Sequence, residues 1–219
     1  REGFTEGGYH PGIDYLPSTP EERFEVAVGA VLTQNTAWKN VRTCMENLLH
    51  WGPLSADAIL ALEQEQLEEL IRPSGYFRQK SVYLKHLAAF FSKSFSLSSS
   101  SRTDATDPFI PGREELLSLK GIGEESADSI LLYAFGVETA VIDAYTRRIL
   151  TRISGTGWRD DRDIRDYMNS CRESQGEFHA LFVEHGKEFC RSRKPRCGEC
   201  FLSSSGACEA ASITLCSSG

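Results

Sequence analysis

The sequence predicts an all-α protein. Apolar residues recur at helical spacing along nearly the whole chain, start and stop signals bracket those stretches, and no segment alternates apolar and polar residues as a half-buried strand does. The first helix opens at Ser18-Thr19-Pro20-Glu21-Glu22, with Thr19 as N-cap, Pro20 in the first turn and Glu22 closing a capping box. Phe24, Ala27, Val28 and Val31 follow the spacing of a buried helix face, and Trp38, Val41, Met45 and Leu48 repeat it in a second helix. An Ala-, Leu- and Glu-rich region from Ser55 to Ile71 closes at Arg72-Pro73. Ser74-Gly75 then turns the chain into a helix from about Phe77 to Phe91. Ser92 to Asp107, with seven serines and no apolar period, reads as a loop. Arg113–Leu119 and Glu124–Phe135 read as two short helices joined by Lys120-Gly121-Ile122-Gly123, and Gly136 ends the second. Helices are also predicted over 144–153 and about 161–172. The last strong helix places Phe178, Leu181, Phe182, His185 and Phe189 on one face.

Composition narrows the function classes. The 219 residues are 40% hydrophobic and 25% charged, and no apolar run approaches the roughly 18–20 residues of a membrane span. No basic region followed by an apolar one marks the N-terminus, so the expected setting is the cytoplasm (the nucleoid, in a bacterium or archaeon) with no membrane partner. A formal net charge of −7 argues against a broad polyanion-binding surface but not against a local one. The basic residues do gather: from Lys187 to Cys197, five positive charges face the single negative charge of Glu188.

Three constellations carry chemistry. In the first, Gly121 and Gly123 let the backbone turn sharply ahead of a helix whose free N–H groups suit a phosphate; a plain interhelical turn has the same appearance. In the second, Asp143 follows the apolar Val141-Ile142 and opens a helix. It reads as an N-cap, or as a carboxylate able to stabilise a cationic sugar or orient a water. Arg147, Arg148 and Arg152 on that helix read as a solvated basic face. In the third, four of the seven cysteines crowd together as Cys190-x6-Cys197-x2-Cys200-x7-Cys208, a set that suits a tetrahedral zinc or a cubane iron–sulfur cluster better than disulfides.

Taken together, Leu119-Lys120-Gly121-Ile122-Gly123, the Val141-Ile142-Asp143 some twenty residues on, and His185-Gly186 followed by Cys190, Lys194-Pro195-Arg196-Cys197-Gly198 and Cys200 resemble the endonuclease III branch of the helix-hairpin-helix DNA glycosylases. The likeness runs from about Tyr15 to Cys208. It implies a six-helix barrel domain over 22–137, with the hairpin at about 113–135. A second domain of 1–21 and 138–219 would carry a [4Fe–4S] cluster on Cys190, Cys197, Cys200 and Cys208. The last cysteine spacing is longer than the family's usual one, with Cys216 a poorer substitute. The resemblance further implies a monomer acting on double-stranded damaged DNA. Gly121, Ile122, Gly123, Arg191, Arg193, Lys194 and Arg196 would meet the DNA backbone, and Asp143 would be catalytic.

Bifunctional members carry a Schiff-base lysine shortly after the hairpin. Here that position is Glu125, which implies a monofunctional enzyme with weak or absent lyase activity. Leu32 to Val41, Gly75-Tyr76-Phe77-Arg78-Gln79-Lys80 and the hairpin resemble the 3-methyladenine glycosylase subgroup. An alkylated purine is already a cation, so a carboxylate and an aromatic pocket suffice to release it. By that likeness Trp38 and Tyr15 would wall the pocket, Gln34 would fill the gap left in the duplex, and Asn35 would stand beside it. Trp38 also fits its own helix's core face. Rival readings are a glycosylase for mismatched thymine or uracil or for an oxidised pyrimidine, and a non-catalytic DNA-binding module.

Overall fold

The computed structural model describes residues 4–5, 8–9, 16–101, 109–155, 157–171 and 174–210, side chains excepted at 4–5, 8–9 and 97–101. The chain divides into two units, 1–137 and 138–219. The class is all-α. A two-residue antiparallel pairing of Phe4–Thr5 with Gly8–Tyr9 is the strand structure among the described residues, too short to show as a pattern.

The first unit holds α1 (Pro20–Thr33), α2 (Trp38–Trp51), α3 (Ala56–Ala61), α4 (Gln64–Leu70), α5 (Phe77–Ser101), α6 (Arg113–Leu117) and α7 (Glu124–Phe135). The capping box of α1 forms as its sequence dictates. The Glu22 N–H donates to Thr19 Oγ1 (3.2 Å) and the Thr19 N–H to Glu22 Oε2 (3.1 Å). Helix α1 packs on α2, α5 and α7, and Phe24, Ala27, Val28, Val31 and Leu32 are buried in a core shared with Leu84, Leu87, Phe91 and Ile130. Residues 16–21, grouped by the sequence reading with the C-terminal part, belong to this unit. Leu16 lies over Gly136, and the Arg23 guanidinium donates to the carbonyls of Pro17 (3.3 Å) and Phe109 (3.5 Å).

The serine-rich stretch is a correction. Helix α5 runs on to Ser101, because Phe91 and Phe95, one helical turn apart, stack edge to face with 5.6 Å between centroids. Phe95 also meets Phe109 at 5.9 Å, and the Ser92 hydroxyl donates to Asp57 Oδ1 (2.6 Å). Two aromatic anchors hold a helix that serine propensity alone would let end. Residues 102–107 of the predicted loop lie outside the described residues.

The second unit holds α8 (Ala144–Ser154), α9 (Asp161–Ser170), α10 (Gln175–Glu188) and the single turn α11 (Phe201–Ser204). Its core gathers Ala140, Ile142, Leu150, Ile164 and Met168, with Trp158, Phe178 and Phe182 against them. The rotation of α10 differs from the prediction: Leu181 is 59% exposed, while Val183 and Gly186 are buried. Gly186 sets this. A Cβ there would stand 2.4 Å from the Tyr145 ring, so its bare backbone seats against α8 and turns Leu181 outward.

A buried ion pair joins the hairpin helices. Arg113 Nε donates to Asp128 Oδ1 (2.7 Å) and Nη2 to Oδ2 (3.2 Å), with the Asp128 side chain wholly buried. The bidentate geometry and charge of Asp128 raise the Arg113 pKa above its ordinary value. Removing one member costs the pair its two charge-assisted hydrogen bonds in a buried setting. Asp128→Ala is therefore expected to lower stability in urea unfolding by about 3 kcal/mol, and Arg113→Leu/Asp128→Leu to recover most of that loss.

Candidate functional site

The hairpin turn is shaped by contact as much as by its glycines. Gly121 has φ +90°, and a Cβ there would stand 2.1 Å from the Tyr83 ring, so backbone and ring lie flush. The Ile122 N–H donates to the Leu119 carbonyl (3.1 Å), and the Ile122 side chain is buried, leaving backbone rather than side chain to meet a ligand. Gly123 caps α7 with extended backbone and no side-chain cap. Glu124, in that first turn, is drawn to Arg113 at 3.2 Å, and Lys120 and Glu125 are exposed.

The loop between α1 and α2 is tied to this turn. Gln34 Nε2 donates to the Gly121 carbonyl and to Ser126 Oγ, both at 2.9 Å. The side chain singled out as a wedge is thus engaged with the hairpin, and Asn35, exposed and with φ +51°, stands at the apex. Lys80 secures the loop from beneath. Its Nζ, 2% exposed as a residue, donates to the Leu32 carbonyl (2.8 Å), Thr36 Oγ1 (2.7 Å) and the Ser74 carbonyl (3.0 Å). Burial brings the Lys80 pKa down to about 8, against the opposing pull of Cys44. Trp38 is half-buried against the core, and Tyr15 lies outside the described residues.

In the second unit, Asp143 is both a cap and something more. Its Oδ1 accepts from the Thr146 N–H (2.7 Å) at the start of α8, and its Oδ2 lies 3.6 Å from Nε2 of His179 on α10. Both side chains are 12% exposed. Burial pushes the Asp143 carboxyl up, but His179 and the Thr146 N–H outweigh it and hold the group below its ordinary value of 3.8. Sequence reasoning missed His179. It lies beside, not on, the predicted apolar face of α10, and the rotation of that helix brings it to Asp143.

The four clustered cysteines line one cavity, walled by Ile149, Phe189 and Leu202. All four carry free thiols. Arg152 grips the loop above them: Nη1 donates to Cys190 Sγ (3.3 Å) and the Arg191 carbonyl (2.8 Å), and Nη2 to the Ser192 carbonyl (3.3 Å). Cys208 Sγ donates to the Arg152 carbonyl (3.4 Å), and Cys200 Sγ lies 3.6 Å from His185 Nε2. Arg148 is stacked 4.9 Å over Tyr145 and donates to the Cys190 carbonyl (2.8 Å), while Arg147 pairs with Asp161. The predicted solvated basic face of α8 is therefore largely committed to internal partners. Arg191, Arg193 and Lys194 stand exposed, whereas Arg196 is paired with Glu199 and lies over the Phe189 ring. Cys216 lies outside the described residues. Among the described residues no three His, Cys, Asp or Glu side chains converge tightly enough to grip a single ion.

A helical hairpin with a close-packed glycine turn, followed by a buried aspartate opening the next helix and a four-cysteine cavity, defines a DNA-repair class of helical protein. The chain belongs to the HhH-GPD superfamily of base excision DNA repair proteins, matched over residues 28–173. It is 40% identical over 185 residues to a Methanocaldococcus jannaschii protein named as a DNA repair glycosylase, covering 82% of this chain and 83% of that one. An endonuclease III captured as a covalent intermediate with DNA superposes with a TM-score of 0.73 at 21% identity, over 88% of this chain and 86% of that one, which establishes the shared fold. The H. pylori 3-methyladenine DNA glycosylase bound to 1,N6-ethenoadenine gives a TM-score of 0.62 at 28% identity, covering 84% and 89%. In the described residues no helix is long and apolar enough to cross a membrane.

The Asp143 arrangement makes a pH prediction. Because the folded carboxyl ionises below its ordinary 3.8, its contribution to stability is complete above that value and is lost as pH falls through the lowered one. Denaturant midpoints of the wild type and Asp143→Asn, taken across an acid series, are expected to differ most near neutrality and to converge at the acid end.

Proposed function

We propose that the protein is a monofunctional DNA N-glycosylase for alkylated purines such as 3-methyladenine, with Asp143 as its carboxylate. One observation carries the monofunctional part: Glu125 occupies the position at which the family resemblance puts the Schiff-base lysine, so no amine is on hand there to attack the sugar. In the hydrolytic route, the bond from the anomeric carbon to the base nitrogen breaks and the base leaves with its electrons. Asp143 stabilises the cation that develops on the sugar and takes the proton of the attacking water, whose oxygen forms the new bond. A cationic alkylated purine leaves as a neutral molecule and needs no acid. The likeness to the H. pylori 3-methyladenine enzyme, at 28% identity, supports this substrate class. The hairpin backbone at Gly121, Ile122 and Gly123 and the exposed Arg191, Arg193 and Lys194 are the proposed phosphate contacts.

The four thiols are proposed to hold a [4Fe–4S] cluster. They fit: all are free, all line one cavity with apolar walls, and Arg152 supplies a charged donor to a ligand sulfur. When bound, the cluster supplies a rigid centre for the basic loop between its first two cysteines.

Single-turnover assays on duplexes containing 3-methyladenine, uracil, thymine opposite guanine, or thymine glycol test the activity. The expected result is release of the alkylated base, strand breaks only after hot alkali, and no adduct trapped by borohydride. A trapped adduct refutes the monofunctional reading, and preference for another base refutes the substrate. Iron and sulfide analysis is expected to give four of each per chain and a brown protein, both lost in Cys200→Ser. Zinc in their place overturns the cluster.

A further inference from the structure

We infer that His179 is a positioning residue for Asp143, holding the second carboxylate oxygen in the orientation that base release requires. The inference rests on the proposed role of Asp143 and extends it to a residue that neither the motifs nor the family match assigns. Its ground is how the two oxygens are divided. Oδ1 is taken by the Thr146 N–H at 2.7 Å, as in any helix cap, and this alone leaves the carboxylate free to pivot about that bond. Oδ2 faces His179 Nε2 at 3.6 Å in a setting where each side chain keeps only 12% of its exposure, so water is a weak competitor for that oxygen. Arg147, one turn into α8, is committed to Asp161, which leaves the imidazole as the polar side chain paired with Oδ2 here.

The scaffold holds this arrangement firmly. Ser174 caps α10, and the Gln175 N–H donates to Glu138 Oε2 (2.7 Å) while Gln175 Nε2 donates to the Met168 carbonyl (2.8 Å). Two turns beyond His179, on the same helix face, Gly186 seats against Tyr145. The helix is pinned on both sides of the imidazole, so the ring's place is set by backbone packing and not by its own flexibility. A carboxylate bonded at one oxygen and flanked at the other by the imidazole meets the developing sugar cation with little reorganisation, and small displacements of such a group are costly in rate. The depressed Asp143 pKa agrees with this geometry.

The test compares His179→Leu and His179→Gln, both near histidine in size, with wild type, after checking that helical content and thermal melting are retained. His179→Leu is expected to slow single-turnover release at saturating enzyme on the order of 10–100-fold, with duplex affinity unchanged. His179→Gln, whose amide N–H reaches towards Oδ2, restores most of the rate. A second readout is independent of substrate. In protein labelled with ¹³C at aspartate carboxyls, the Asp143 signal, identified by its loss in Asp143→Asn, titrates at higher pH in His179→Leu than in wild type. An unchanged rate in His179→Leu, or a loss that glutamine does not repair, overturns the inference. If wild type releases no base, the proposed function fails, and the titration alone decides whether His179 holds the carboxylate.

Discussion

In the second unit α10 approaches α8 so closely that the single methyl of an alanine at position 186 would overlap the Tyr145 ring. Much of that unit's chemistry follows from the approach. It brings Arg148, stacked on the same ring, within reach of the Gly186 and Cys190 carbonyls, and so fixes where the cysteine loop begins. Two turns towards the start of α10 it brings His179 opposite Asp143. A helix crossing is set by the size of the side chains at its contact point, and the smallest residue gives the shortest distance. One glycine thus sets the place of both a carboxylate and a thiol cavity.

The first unit is organised around charge taken out of water and matched. Asp128 is wholly buried against Arg113, and the Lys80 ammonium is enclosed by three oxygen acceptors. In the second unit Arg148 and Arg152 are likewise committed to carbonyls of the cysteine loop, while Arg147 pairs with Asp161 at the surface. In an acidic chain, the short loop of Arg191, Arg193 and Lys194 stands exposed as a local positive patch.

What the sequence made legible were features whose cause is local. The Thr19–Glu22 box, the hairpin glycines and the spacing of the cysteines depend on neighbours a few residues away, and each appears in the structure where its motif lies. Asp143 shows a subtler case: its cap role is local and was legible, while the approach of His179 to its second oxygen comes from another helix. What stayed hidden depends on rotation and distance. Leu181 looked like core and His179 drew no notice, because apolar periodicity cannot see that Gly186 turns the helix. The serine run concealed the end of α5 because part of its support comes from Phe109, beyond the stretch itself. The engagement of Gln34 with Gly121 spans 87 positions, a separation no spacing rule reaches.

That last contact has a thermodynamic consequence. A loop apex and a hairpin turn, each mobile if left alone, are joined by one amide that donates to a carbonyl of the turn and a hydroxyl of the following helix. Their relative freedom is surrendered when the chain folds, and it is not surrendered again when a ligand arrives. Asn35 and the Gly121 backbone therefore present themselves as one preassembled edge, and the entropy of ordering them is charged to folding instead of binding.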